Sequence, residues 1–434
     1  MKSLFVMFCL AGLFTLNAPT VHAQTTPLAT PWRLDKVIIV SRHGVRPPTK
    51  MTRQMHEITS QTWPNWSAPL GHLTPTGATL VSLLGGYYAQ HLQQAGLFAQ
   101  GGCPAEGSVS TWADTDQRTR MTGQAWLDGF APGCGLTIRS QADRHHPDPL
   151  FHPLEAGLCH LPPHDAERAI QAEAGGDVAT LPAQSASALQ LFEQVLDFAH
   201  SPYCQGKPEA NCSLATAYPN QLTTSADGSV KLQGNLALGS TLAEIFLLEY
   251  ADGMAANSVA WGHHFTAEQW ASLLAMHNTQ FRIMQQAPAI ARYKASPLLA
   301  RIAQGLQPTS PARLELLVGH DTNLANLAGI LGIRWQLPGQ PDNTPPGGEL
   351  VIERWQDPDS QQYWVRLQFV YQTLSQLREQ TRLTLATPPG IVALSLPDCQ
   401  KEAVQGACPL SRFVEITRQR LQPDCLPDTP GKDE

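Results

Sequence analysis

Residues 36–48 read KVIIVSRHGVRPP. Val37 to Val40 form an apolar, β-branched run, which is typical of a strand buried on both faces. Directly after it come two arginines, a histidine and a glycine within five residues. We therefore expect a buried strand that ends in a loop with chemical function.

Two further stretches repeat this order of apolar strand and polar motif. Residues 109–120 read VSTWADTDQRTR, and residues 314–323 read LELLVGHDTN. Helical patterns lie between them, one beginning at Thr74 as the N-cap and Pro75 as the first helical residue. This alternation predicts an α/β fold with a mostly parallel central sheet flanked by helices. Because ligands bind beyond the carboxyl ends of parallel strands, we expect the three motifs to share one rim.

Residues 156–277 show helical patterns and few strand signals, which indicates an inserted, mainly helical domain. We expect a first part of the α/β domain over 24–155 and a second part over 278–434. The stretches 350–355 and 363–370 are expected as strands near the edge of the sheet.

The composition is typical of a loop-rich globular chain. Of 434 residues, 42% are hydrophobic and 15% charged, with 35 prolines and 33 glycines, which excludes a disordered or coiled-coil chain. The net charge is −7 and the 29 lysines and arginines are scattered. We therefore expect no nucleic-acid partner.

The first 23 residues are typical of a secretory signal peptide. Lys2 precedes an apolar run from Leu4 to Leu16, and Val21-His22-Ala23 forms a small-residue cleavage site. No later segment reaches about 18 uninterrupted apolar residues, so we expect no membrane-spanning segment. The sequence predicts a periplasmic or secreted protein that begins at Gln24.

Cysteine usage agrees with export. Removing Cys9 from the nine cysteines leaves eight, an even number that favours four disulfides over metal ligation in an oxidising compartment. Two pairs are close in the chain, namely Cys204 with Cys212 and Cys399 with Cys408. The remaining four allow three pairings, which the sequence leaves open: Cys103, Cys134, Cys159 and Cys425.

The motif Arg42-His43-Gly44-Val45-Arg46 brings two guanidinium groups to either side of an imidazole. Arginine matches phosphate oxygens in a bidentate geometry and stays charged, so this crowding of cations predicts a phosphoryl group as occupant. A neutral imidazole nitrogen facing the phosphorus could attack it and form a phosphohistidine that water then hydrolyses. The adjacent cations would keep the imidazole neutral at acid pH.

The motif His320-Asp321 supplies the proton donor that the first motif lacks. His320 could donate a hydrogen bond to the phosphate, and Asp321 could give a proton to the departing alkoxide. Arg118, which follows the expected strand at 109–113, is a further candidate ligand of the phosphate.

We expect neither a metal nor another cofactor, because the arginines already supply charge stabilisation. The local clusters that contain histidine are interpreted as polar loops: Asp143, His145, His146 and Asp148, and separately His263 and His264.

At these motifs the chain resembles the histidine acid phosphatases, and within them most closely the bacterial periplasmic phytases. The resemblance covers almost the whole chain after residue 23. Its supporting segments are RHGVRPPTK (42–50), DTDQRTR (114–120), EIFLL (244–248), HDTNLANL (320–327) and LPGQPDNTPPGGEL (337–350).

The resemblance implies a role for each matching residue. His43 is expected as the nucleophile and Asp321 as the proton donor. The phosphate ligands are expected to be Arg42, Arg46, Thr49, Arg118 and His320. Residues that match the lining of the substrate pocket are Lys50, Asp114, Glu244 and Thr322. The disulfides implied by the resemblance are Cys103–Cys134, Cys159–Cys425, Cys204–Cys212 and Cys399–Cys408.

We accordingly expect a secreted, metal-independent, monomeric acid phosphomonoesterase that hydrolyses myo-inositol hexakisphosphate through a phosphohistidine. One alternative is a sugar phosphatase of the glucose-1-phosphatase type. An alternative of another class is a non-catalytic periplasmic protein that binds phosphate or polyanions with the same arginines. The presence of both His43 and Asp321 favours the enzyme, because binding alone requires neither a nucleophile nor an acid.

Overall fold

The computed structural model describes residues 32–181, 185–208 and 211–427. The predicted signal peptide lies outside these residues. Within them, the strands are β1 (Arg33–Arg42), β2 (Val109–Ala113), β3 (Gln221–Thr224), β4 (Val230–Gln233), β5 (Leu314–Gly319), β6 (Glu349–Gln356), β7 (Tyr363–Tyr371), β8 (Gly390–Leu394) and β9 (Cys408–Pro409).

The same described ranges contain twelve α-helices, several of which are preceded by an N-cap residue. In chain order they are α1 (Arg53–Glu57), α2 (Pro75–Gln94), α3 (Gln117–Phe130), α4 (Pro163–Ala174), α5 (Ala186–Leu196), α6 (Leu214–Ala217), α7 (Asn235–Ala251), α8 (Ala267–Met284), α9 (Pro288–Gly305), α10 (Asp321–Leu331), α11 (Leu374–Glu379) and α12 (Leu410–Arg420). The start of α2 is the predicted one, because the Thr74 hydroxyl accepts from the N–H of Gly77 and Pro75 follows it.

A central sheet has the strand order β2-β5-β1-β6-β7-β8, with β9 paired to β7. β2, β5 and β1 are parallel, whereas β6, β7, β8 and β9 join by antiparallel pairing. The α/β fold with flanking helices is therefore confirmed, but "mostly parallel" is wrong: the sheet is mixed. The reason is local, because only residues 357–362 separate β6 from β7, and so short a connection can join only antiparallel neighbours.

β6 and β7 are both internal strands. β7 lies next to the edge strand β8, near the edge as predicted, whereas β6 is central. Ile38 of β1 pairs with Ile352 of β6, which in turn pairs with Leu367 of β7. The edges of the six-strand path are β2 and β8. All three paired residues are buried, as expected for central strands.

Helices cover both faces of the sheet. One face packs its apolar residues against α9, α10 and α12, and the other packs against α2 and α3. A separate hydrophobic cluster joins α4, α5, α7 and α8, the β3–β4 hairpin and Met55 of α1. The predicted domain boundary at residue 277 falls inside α8, and the division of the chain into domains stays a prediction.

Three of the four expected disulfides are present. Cys103–Cys134, Cys159–Cys425 and Cys399–Cys408 are bonded, with Cα–Cα distances of 5.4, 4.9 and 5.8 Å. The fourth pairing differs from the expectation, because Cys204 and Cys212 are free thiols here. The Cys212 sulfur lies 3.8 Å from the carbonyl oxygen of Cys204.

No helix in the described part of the chain is long and apolar enough to cross a membrane.

Candidate active site

The three polar motifs lie at one rim of the sheet. Arg42, the last residue of β1, pairs with Gly319 at the end of β5. Just beyond the strands, the N–H of His43 donates to the Gly319 carbonyl at 3.0 Å, and the N–H of Asp114 donates to that of Val318 at 2.9 Å. The parallel strands β1, β2 and β5 thus deliver the motifs to the same edge, as the sequence predicted.

Gly44 allows the first motif to lie close to α2. A Cβ at this position would be 2.9 Å from the side chains of Leu73 and Val81, which is too near for an ordinary contact. The N–H of Gly44 donates to the Thr122 hydroxyl at 2.9 Å, which fixes the turn that follows His43. A larger residue would displace the motif from the rim.

Arg42 is fully buried and surrounded by acceptors. Its Nη1 donates to the Thr344 carbonyl and lies 3.3 Å from Asp342 Oδ2. Its Nη2 pairs with Glu244 and lies 2.9 Å from Asp321 Oδ2. Burial opposes the charge, but Asp321, Glu244 and Asp342 outweigh it and raise the pKa of Arg42. The guanidinium is therefore a fixed positive charge in the interior.

The His43 ring is a neutral imidazole of defined tautomer. Its Nδ1 lies 2.9 Å from the carbonyl oxygen of Gly44, which can only accept, so Nδ1 carries the hydrogen. Arg46 Nε donates to His43 Nε2 at 3.5 Å, so Nε2 presents its lone pair. Burial lowers the pKa of His43 well below its ordinary value, and Arg46, Arg118 and Arg42 lower it further. The nucleophilic form therefore persists at acid pH.

Arg46 and Arg118 carry the other positive charges at the rim. Arg46 Nη2 lies 3.1 Å from Glu244 Oε1. Arg118 Nη2 lies 2.6 Å from Asp116 Oδ2, and Nη1 donates to the Gly71 carbonyl at 3.4 Å. Arg118 Nε is buried with no hydrogen-bond partner among the described residues. These donors are suited to the oxygens of a phosphoryl group.

His320 is held by Asp114. Its Nε2 lies 2.6 Å from Asp114 Oδ2, and its Nδ1 lies 3.4 Å from Arg118 Nη2. A second imidazole, His152, reaches the same Oδ2 with its Nε2 at 2.9 Å. Burial lowers the pKa of His320, the hydrogen bond to Asp114 opposes this, and Arg118 lowers the pKa again. The balance favours neutral His320 in this arrangement.

Asp321 is the first residue of α10, where a carboxylate is stabilised by the helix N-terminus. Burial would raise the pKa of its carboxyl group. The positive charges of Arg42 and Arg46, followed by His277 and His320, outweigh burial and lower the pKa of Asp321 to about 2. The acid candidate is therefore ionised while Arg42 pairs with it.

A cavity of about 540 Å³ opens beside the first motif. Its wall includes Arg46, Thr49, Lys50 and Glu244, four of the residues that sequence reasoning selected. A volume of this size is typical of a small-molecule site. The cavity is also lined by polar and aromatic residues from α1, the end of α6, the β3–β4 hairpin and α7: Gln54, Tyr218, Gln221, Gln233 and Thr241.

Two residues expected in the pocket have other contacts. Asp114 is buried and binds the imidazoles of His320 and His152. Thr322 follows Asp321 in α10, and its N–H donates to Asp321 Oδ1 at 2.7 Å. Asp114 thus contacts the site through His320, while the pocket role of Thr322 stays a prediction.

Asp114, His152 and His320 form the one group among the described residues whose side chains lie close enough to surround a metal ion. Both imidazoles use Nε2 to approach the same carboxylate oxygen, which accepts hydrogen bonds from them. Arg118 also brings a permanent positive charge to 3.4 Å from His320. These contacts fit an imidazole–carboxylate network, and we assign no metal to it.

Sequence reasoning missed three residues that support the site. Asp342 pairs with Arg42, His277 Nε2 lies 3.8 Å from Asp342 Oδ1, and His152 binds Asp114. Asp342 belongs to the quoted segment 337–350, so it could have been selected from the sequence as an acidic partner for a buried arginine. Neither histidine carries a local signal, because the partners of both are far away in the chain: Asp114 is 38 residues from His152, and Ser240 is 37 residues from His277.

Comparisons with known proteins agree with this geometry. A family model described as "Histidine phosphatase superfamily (branch 2)" matches residues 33–370. The chain is 44% identical to phytase AppA of Escherichia coli (strain K12), over 98% of this chain and all of the relative. It is 33% identical to glucose-1-phosphatase of Salmonella typhimurium, over 96% of this chain and 98% of that protein. The solved structure of Hafnia alvei phytase in complex with myo-inositol hexakis sulphate matches with a TM-score of 0.86 and 45% identity, over 91% of this chain and 98% of that one.

Proposed function

The chain belongs to branch 2 of the histidine phosphatase superfamily, and we propose that His43 is its nucleophile. The protein is a histidine acid phosphatase of the phytase type, an enzyme and not a phosphate-binding protein. The observation that carries the assignment of His43 is its neutral ring, whose Nε2 lone pair faces the guanidinium of Arg46.

The reaction follows from the charges around this ring. A phosphoryl group bound by Arg42, Arg46 and Arg118 faces His43 Nε2, which forms the N–P bond as the P–O bond to the leaving group breaks. Asp321 gives its proton to the departing oxygen. The resulting carboxylate then takes a proton from water, whose oxygen attacks phosphorus and breaks the N–P bond. Phosphate leaves, and His43 is again neutral.

Myo-inositol hexakisphosphate is the substrate that we propose. The cavity beside Arg46 has the volume of a small-molecule site, and Lys50 and Thr49 lie in its wall. A cation and a hydroxyl can bind phosphates of the ring other than the one at His43. The relative from Hafnia alvei, whose structure contains myo-inositol hexakis sulphate, supports this substrate class.

A sugar phosphate is the second candidate. The side-chain amides of Gln54, Gln221 and Gln233 line the same cavity, and amides bind hydroxyl groups as well as phosphate oxygens. The relative named glucose-1-phosphatase supports this class. Comparing kcat/KM for inositol hexakisphosphate and for glucose 1-phosphate decides between them, with the higher value expected for the inositol phosphate.

We also propose that the enzyme is exported and acts as a monomer. Three disulfides support an oxidising compartment. Fractionation of cells and size-exclusion chromatography test these two points.

Trapping of a phospho-enzyme tests the nucleophile. Wild-type protein mixed with a 32P-labelled phosphomonoester and rapidly denatured is expected to retain label on one histidine. His43→Ala should retain no label and have almost no turnover, whereas His200→Ala, at an exposed histidine paired with Asp197, should behave as wild type. Label on His43→Ala would reject the assignment.

A further inference from the structure

Two imidazoles compete for one carboxylate oxygen next to the proposed phosphate site. Asp114 Oδ2 lies 2.6 Å from His320 Nε2 and 2.9 Å from His152 Nε2. The other oxygen, Oδ1, is buried without a hydrogen-bond partner among the described residues. Both rings therefore depend on the same oxygen and on the same negative charge.

The competition affects His320 because of how its two nitrogens are used. Nε2 donates to Asp114, and Nδ1 faces Arg118 Nη2 at 3.4 Å, which leaves Nδ1 as an acceptor in the neutral ring. His320 can donate from Nδ1 to a phosphate oxygen only when the ring is positively charged. A phosphate ligand role for His320 therefore requires an imidazolium.

His152 connects this buried pair to solvent. Its side chain is 29% exposed, whereas those of His320 and Asp114 are 7% and 2% exposed. The ring centres of His152 and His320 are 5.1 Å apart. When His152 takes up a proton from solvent, its ring becomes positively charged. This charge then lies beside His320 and next to the carboxylate oxygen that both rings share.

We propose that His152 is a positioning residue that, by sharing Asp114 with His320, restricts the charged, phosphate-binding form of His320 to acid pH. The inference rests on the proposed function of His320 as a phosphate ligand. His152 belongs to none of the motifs that define the catalytic residues, and it acts only through Asp114.

The charges around both rings determine the direction of the effect. Burial lowers the pKa of His152, but the hydrogen bond and charge of Asp114 raise it above the ordinary value, and burial lowers that of His320. His152 is therefore already charged at the pH where His320 takes up its proton, and like charges disfavour one another. The groups that face the two rings are Asp114, Asp116, Glu155, Arg118, His43 and Asp321.

Replacing His152 by asparagine removes the competing charge and keeps an amide that can donate to Asp114. At the 5.1 Å between the rings, one unit charge shifts a pKa by roughly 0.5 to 2 units for effective dielectric constants between about 80 and about 20. The alkaline limb of kcat/KM is therefore expected to move to higher pH by roughly 0.5 to 2 units in His152→Asn.

A matched control lies six residues earlier. His146 is also paired with a carboxylate, Asp143 at 2.6 Å, but is exposed on a loop. In His146→Asn, the alkaline limb of kcat/KM should stay at the pH of the wild type. A purely structural role of His152 would lower the melting temperature of His152→Asn and leave the limb in place, and that outcome overturns the inference.

NMR titration of the wild-type imidazoles tests the coupling without relying on activity or on the folding of a variant. His152 and His320 should titrate in two coupled steps, with an inflection in each ring at the apparent pKa of the other. Independent, single-step titrations would overturn the inference. If the rings are coupled but the wild type does not hydrolyse phosphomonoesters, the proposed function fails and the inferred network stands.

Discussion

Asp321 has to gain a proton before it can act as the acid that we propose. Its pairing with Arg42 at 2.9 Å and the charge of Arg46 hold its pKa at about 2, despite burial. A phosphate bound to the two arginines adds negative charge and competes for Arg42. Both effects raise the pKa of Asp321, so binding of the substrate prepares the proton donor.

Asp321→Asn should therefore impair the enzyme according to the leaving group. We expect kcat on inositol hexakisphosphate or another alkyl phosphate to fall by roughly 10²–10⁴, because the alkoxide needs a proton. The loss on p-nitrophenyl phosphate should be much smaller, since the phenolate leaves without one. Steady-state rates on the two substrates measure the difference.

Asp143→Asn is the control for this experiment. Asp143 is exposed, and its partners among the described residues belong to its own loop, His146 being one of them. Its replacement should leave both rates unchanged. Equal losses on both substrates in Asp321→Asn would contradict a role in proton donation.

Residues within a local motif could be predicted, and residues that act through distant partners could not. Arg42, His43 and Arg46 lie within five positions at the end of β1, so their chemistry is visible in the sequence. His152 contributes to the site only because folding brings it to Asp114, 38 residues earlier. A single histidine in a loop carries no information about that contact.

α2 and α3 pack at a distance set by glycine. A Cβ on Gly85 would lie 2.1 Å from the Trp126 carbonyl, and one on Gly129 would lie 2.0 Å from that of Ser82. The two helix backbones are therefore in direct contact at these positions. Gly86 differs, because its added Cβ would meet only the Gly129 carbonyl, at 3.8 Å.

Gly85→Ala and Gly86→Ala should consequently have opposite effects. Gly85→Ala forces the helices apart, and we expect the free energy of unfolding to fall by about 3 kcal/mol or more. Gly86→Ala gains the helix propensity of alanine without a clash, which should add up to about 1 kcal/mol. Denaturant unfolding of the two variants measures both values, and a similar loss in both would contradict the packing argument.

The direction and order of the strands could be predicted only in part from the sequence. β1, β2 and β5 were identified from apolar runs followed by polar motifs, and their parallel pairing followed from the helices between them. β6 and β7 also contain apolar residues, but their order in the sheet depends on a hairpin and on pairing with β1. Hydrophobicity indicates that a strand is buried, but it does not determine which strand pairs with it.

The disulfide Cys159–Cys425 joins chain positions that are 266 residues apart, whereas Cys399–Cys408 spans 9. A cross-link that closes a longer loop restricts the unfolded chain more. Replacing Cys159 and Cys425 by alanine should cost about 2–5 kcal/mol of unfolding free energy, and more than the same change at Cys399 and Cys408. Denaturant unfolding of the two double variants tests the order, and the reverse order would contradict it.

Buried acids link the stability of the whole molecule to pH. Glu349, at the start of β6, is fully buried, and Trp126 Nε1 donates to its Oε1 at 3.0 Å. Burial raises its pKa to about 8, and burial also raises the pKa of Glu249 to about 8. Between pH 4.5 and 8 the folded protein keeps these protons while the unfolded chain loses them, so the contribution of these two acids to stability is highest at acid pH and falls as pH rises.

Glu349→Gln should flatten this dependence. The amide keeps an acceptor for Trp126 and has no proton to lose, so the variant avoids a loss of up to about 4 kcal/mol that Glu349 imposes between pH 5 and pH 8. Denaturant unfolding at the two pH values measures the difference, with Glu379→Gln, at an exposed acid of α11, as the control. Glu249 retains its own contribution, so a residual fall is expected. A variant as dependent on pH as the wild type would mean that Glu349 is ionised in the folded protein and that any fall in stability between pH 5 and pH 8 comes from other titratable groups.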